Sequence, residues 1–135
     1  MENIKIINNK KLIGLENNFR DLIKLINKNS LPKVLMLTGK KGIGKFTLAH
    51  HLISYYYDKN NYDQKNFIIM EDNLFFEPPN IHSYQNISYY SGEDKSVKIE
   101  NIRKLRLDLQ KTTIDNKVRF IILDDVEKFN LNCLN

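Results

Sequence analysis

Residues 34–47 constrain the fold more than any other stretch. The apolar run Val34-Leu35-Met36-Leu37 is followed, one residue later, by Gly39-Lys40-Lys41-Gly42-Ile43-Gly44-Lys45-Phe46-Thr47. A short, almost wholly apolar segment closed by glycine reads as a buried strand over 33–38. Behind the glycines, Ala49, Leu52, Ile53 and Tyr56 recur at helical spacing, so a helix is expected over 45–57. Strand, glycine-rich turn and helix in that order form the phosphate-binding pattern G-x-x-x-x-G-K-[ST], met everywhere except the last position, where Phe46 replaces a hydroxyl residue. The glycines let backbone wrap an anion closely and turn N–H groups inward. The helix adds the positive end of its dipole, and Lys45 adds a point charge. Residues 39–47 therefore read as a cradle for the phosphates of a nucleotide. The bland alternative, a Lys/Gly-rich surface turn, leaves the flanking strand and helix patterns without a reason.

The rest of the chain alternates between helical and strand patterns. Phe19, Leu22, Ile23 and Ile26 mark an amphipathic helix over 16–28, ended by Ser30-Leu31-Pro32. Further strands are expected at 67–70, 87–90 and 118–123, the last apolar enough to be central. Ile102, Leu105 and Leu109 mark a helix over 100–111, with Arg103, Lys104 and Arg106 beside them as a solvated or partner-facing basic group. Such alternation predicts an α/β domain. With 135 residues, 41% of them hydrophobic, one domain with a real core is expected over 1–135.

Composition narrows the class further. The start, Met1-Glu2-Asn3-Ile4-Lys5, lacks the pattern of a secretory leader, and no apolar run reaches membrane-spanning length, so a cytoplasmic protein with no membrane partner is expected. The single cysteine, Cys133, allows no internal disulfide and no zinc cluster, and reads as a small apolar residue. A net charge of +5 suits work beside nucleic acid, but richness in Lys, Asn and Ile is also what an AT-rich genome writes.

The 118–123 strand ends in Asp124-Asp125. In phosphate-loop enzymes a parallel strand beside the loop strand ends in a carboxylate that holds Mg²⁺, usually through water. Asp124 stands at that position. An apolar run ending in aspartates is weak by itself, and gains force from following the loop in the right order.

With these segments in place, the chain resembles the AAA+ subunits of the bacterial DNA polymerase III clamp loader, of the gamma and, more closely, the delta-prime type. Leu12-Ile13-Gly14-Leu15-Glu16 is similar to the family's motif before its first helix, where Ile13 would pack near an adenine. Residues 37–49 are similar to the delta-prime loop G-P-x-G-I-G-K-x-T-L-A. Ile99-Glu100-Asn101-Ile102-Arg103 is similar to I/V-D-x-I-R, and Ile121 through Asn130 to I-I-D-D-A-E-x-M-N, with 130–135 similar to N-x-x-A-A-N.

The resemblance implies a P-loop NTPase fold of the AAA+ type, a three-layer α/β/α domain with a parallel sheet of strand order 5-1-4-3-2. It further implies that the chain stops after the Asp124 strand and so forms the N-terminal part of the domain, without the lid and collar domains that carry most of the subunit interface. The nucleotide would be ATP or ADP, with Mg²⁺ held by Asp124 and by Thr47 in place of the missing hydroxyl. Asp125 stands where many AAA+ ATPases carry the glutamate that orients the attacking water. It is one methylene shorter, and Thr47 points about 100° away from the Phe46 position, so hydrolysis is expected to be weak or absent. No zinc cysteines follow the loop helix, which favours delta-prime over gamma. The implied partners are the gamma/tau and delta subunits, and, through the complex, the sliding clamp and primed DNA. An active gamma-type motor, a P-loop small-molecule kinase and a scaffold with a vestigial loop remain the alternatives.

Overall fold

The computed structural model describes residues 9–77, 84–94, 99–111 and 115–129. The chain packs as two units, 1–80 and 81–135.

The first unit is built around two helices, α1 (Glu16–Asn27) and α2 (Lys45–Tyr57). On α1 the expected stripe is the buried one: Phe19, Leu22 and Ile23 face inward and Ile26 packs against the same cluster. Phe19 is fully buried, its ring stacked on Tyr62 at 5.3 Å and met edge-on by Tyr55 and Phe67. α2 departs from a one-faced helix. Leu52 and Ile53 are buried as expected, while Ala49 and Tyr56 are only half-buried. Leu48, His50, His51, Ser54, Tyr55 and Tyr57 are buried too. It is covered on most sides because α1 lies along one flank and the 62–76 region along another, so no single stripe defines it.

Two short strands follow, β1 (Tyr62–Asp63) and β2 (Ile68–Ile69), paired antiparallel with Tyr62 opposite Ile69. The strand expected over 67–70 is thus a two-residue arm of a hairpin. Asp63 makes the turn: its carboxylate accepts from the backbone N–H groups of Lys65 and Asn66, a local bond that competes with strand continuation. Phe67 then takes a positive φ of 57°, so the ladder starts only after it.

The strand expected over 33–38 is not formed. That segment makes no ladder within the described residues of its unit, and Val34, Leu35 and Met36 are exposed, with only Leu37 packed against the core. β2 offers that segment no free edge. β2 is flanked by β1 on one side and on the other by the 10–12 segment, where Leu12 donates to the Phe67 carbonyl and Ile69 to that of Lys10. An apolar run needs a partner strand before it is a buried strand.

The second unit holds β3 (Ile87–Ser91), α3 (Ile99–Leu109) and β4 (Phe120–Asp124). β3 and β4 pair in parallel from Ile87 opposite Phe120 to Ser91 opposite Asp124, which makes the fold α/β with a small parallel sheet. β4 begins two residues later than the apolar pattern predicts, leaving Val118 exposed. On α3, Leu105 is buried as expected but Leu109 is exposed.

Candidate phosphate-binding site

The loop takes the conformation its glycines permit. Gly42 and Gly44 have φ of 82° and 103°, in the left-handed region where a side chain strains the backbone. Gly44 also caps α2, its carbonyl accepting the first helical bond from Leu48 N–H at 2.9 Å. A methyl group there would meet Leu15 Cδ1 at 3.3 Å, so the segment 12–15 runs beside the loop's end. Ile13, expected near an adenine, points outward with 76% of its surface exposed. Lys40, Lys41 and Ile43 are exposed around the Lys40–Ile43 turn.

Lys45 closes the loop on itself. Its ammonium donates to the Gly39 carbonyl at 2.6 Å and to that of Lys40 at 3.3 Å. These carbonyls hold the charge inside the turn, where a phosphate oxygen would compete for it. Phe46 and Thr47 are half-buried in the first turn of α2, and the Phe46 ring stacks on His50 with centroids 6.4 Å apart. His50 in turn faces the Phe75 carbonyl through Nε2 at 2.6 Å. His51, next along, faces the Asn9 carbonyl through Nε2 and the Tyr62 hydroxyl through Nδ1. Both rings face carbonyls through Nε2, so Nε2 carries a proton in each. Burial lowers both pKa values, that of His51 to about 4.

Asp124 and Asp125 lie in the second unit, half-buried at the end of β4. Asp125 has a positive φ of 48° and opens a short 3-10 turn, Val126–Lys128. Asp124 accepts through both carboxylate oxygens, from the Tyr89 hydroxyl at 2.8 Å and from the Asp125 backbone N–H at 3.0 Å. Gly92 N–H donates to the Asp124 carbonyl, and Lys128 pairs with Glu93. Residues 130–135, expected to continue the family pattern, lie outside the described residues.

In the first unit, the position where the loop pattern places a hydroxyl for Mg²⁺ carries the Phe46 ring packed on the His50 imidazole, which does not fit a metal ligand. In the second, Asp124 accepts one hydrogen bond on each carboxylate oxygen. Among the described residues no group of three or more His, Cys, Asp or Glu side chains is arranged to hold a metal ion.

Sequence reasoning missed His50, Tyr89 and Gly92. His50 has a signal, since it lies four residues from Phe46 and so one turn along the same helical face. Tyr89 has none, because its meeting with Asp124 depends on strand register.

The family described as DNA polymerase III, delta subunit, matches residues 14–135. No curated protein matches the chain, and no solved structure matches it. No helix among the described residues is long and apolar enough to cross a membrane.

Proposed function

The chain belongs to the DNA polymerase III delta-subunit family, a clamp-loading family of the replication machinery, and from that membership we propose that it is a clamp-loader subunit of the delta-prime type. On this reading it helps place the sliding clamp on primed DNA, in the cytoplasm, within a hetero-oligomer that includes gamma/tau and delta subunits. Its loop belongs to an AAA+ P-loop domain and cradles the phosphates of ATP or ADP through the backbone of 39–44 and the Lys45 ammonium. Phe46 removes the hydroxyl that would anchor Mg²⁺, and Asp125 is short for a general base, so the subunit binds nucleotide with little dependence on Mg²⁺ and hydrolyses it poorly. Such a subunit serves as a stator rather than a motor.

The observation that carries the assignment is the family match, which spans the loop, the I/V-D-x-I-R-like segment and the Asp124 strand together. It favours a clamp loader over a P-loop kinase, which shares only the loop. The test is native purification of the protein from its own cells through an affinity tag at its N-terminus. Gamma/tau-type and delta-type subunits should co-purify in fixed ratio. Recovery of the protein alone, or turnover of a small-molecule phosphate acceptor by the purified protein, would contradict the assignment.

A further inference from the structure

The Asp124 carboxylate is held from the neighbouring strand. Ser91 stands opposite Asp124 and Tyr89 opposite Ile122, so alternate residues of β3 come up beside the end of β4 on one face. From there Tyr89 donates its phenol O–H to Oδ2 at 2.8 Å, while Oδ1 takes the Asp125 N–H. A hydroxyl donating to an ionised carboxylate is roughly twice as strong as a neutral hydrogen bond.

We infer that Tyr89 is a positioning residue that keeps divalent cations off Asp124. The inference rests on reading Asp124 as the strand-end carboxylate of the proposed nucleotide site. Mg²⁺ brings a rigid octahedral shell of oxygens, mostly water, and a carboxylate joins that shell either directly or by accepting from a bound water. Tyr89 takes one of the two acceptor directions on Oδ2 and the Asp125 N–H takes one on Oδ1. A cation that binds along the Tyr89 direction has to displace a charge-assisted bond. Tyr89→Phe keeps the ring and removes only the O–H.

The test uses the full chain without nucleotide, with Mn²⁺ alone as the probe and water-proton relaxation as the readout. Tyr89→Phe should bind Mn²⁺ about tenfold more tightly than the parent, the order expected when a bond to a charged group is released. The gain should vanish in Tyr89→Phe/Asp124→Asn. Equal affinity in parent and Tyr89→Phe, or a gain that persists in the double variant, would overturn the inference. The parent protein gives a second reading that needs no variant: with isotope-labelled tyrosine, the Tyr89 ring signal should hold its position as Mg²⁺ is added, and a Mg²⁺-dependent shift would overturn the inference. Loss of ADP binding in Lys45→Ala tests the nucleotide reading separately, so failure of either idea is told apart from failure of the other.

Discussion

His50 and His51 are imidazoles that burial holds away from their ordinary chemistry in water. Both are buried in the middle of α2, and burial there disfavours the imidazolium. For His51 this pulls the pKa from 6.5 to about 4, against the opposing hydrogen bond to the Asn9 carbonyl and with a further lowering by His50. The folded state thus takes up its proton later than the unfolded chain does as pH falls. Stability is complete above about pH 6.5 and is lost progressively down to about pH 4, by roughly 3 kcal/mol for His51 when the full interval is crossed. His50 acts in the same direction. Asp63 and Asp115, whose pKa values are lowered by hydrogen bonds, titrate below that window. Urea unfolding of the first unit between pH 7 and pH 4.5 should show a falling midpoint, and His51→Gln should flatten the fall. A midpoint that is level across that range would contradict the buried neutral pair.

At the scale of elements, the 91–94 loop packs closely on the turn after β4. A Cβ on Gly92 would lie 2.2 Å from the Asp125 carbonyl oxygen, 3.0 Å from Lys128 Cβ and 3.1 Å from Phe129 N, two of them backbone atoms that cannot rotate away. Gly92→Ala should therefore destabilise the second unit by about 1–3 kcal/mol, read as a lower urea midpoint followed through amide exchange in β3 and β4. Unchanged stability would mean that the loop and the turn do not pack as described. The helices and β3 were legible because each rests on local periodicity: Phe19, Leu22 and Ile23 declare α1 with no help from elsewhere. Residues 33–38 were misread because an apolar run states a preference for burial and says nothing of a partner edge. Phe67 was misread as strand because the Asp63 turn decides where the hairpin ladder begins. Leu109 lies on the expected stripe of α3 and is nonetheless exposed, since a stripe is buried only where something covers it.

Across the whole molecule, the candidate residues divide between the two units: the loop 39–47 and Ile13 belong to the first, Asp124 and Asp125 to the second. The backbone of the loop was legible in the sequence, since glycines with positive φ and a helix behind them follow from residue type. What the sequence withheld were the partners of each group, which are Gly39 and Lys40 carbonyls for Lys45, His50 for Phe46 and Tyr89 for Asp124. In the first unit, Lys45 held by loop carbonyls and Phe46 packed on His50 are the contacts on which the proposed phosphate cradle without a metal anchor rests. The most direct test is calorimetric titration of ADP into the purified protein, with Mg²⁺ and then with EDTA, in parent, Lys45→Ala and Phe46→Thr. The account expects similar affinity in Mg²⁺ and EDTA for the parent. It expects a loss of about tenfold or more in Lys45→Ala, the order of a hydrogen bond to a charged group, and the appearance of Mg²⁺ dependence in Phe46→Thr. Parent binding that collapses in EDTA, or that is indifferent to Lys45→Ala, would contradict it.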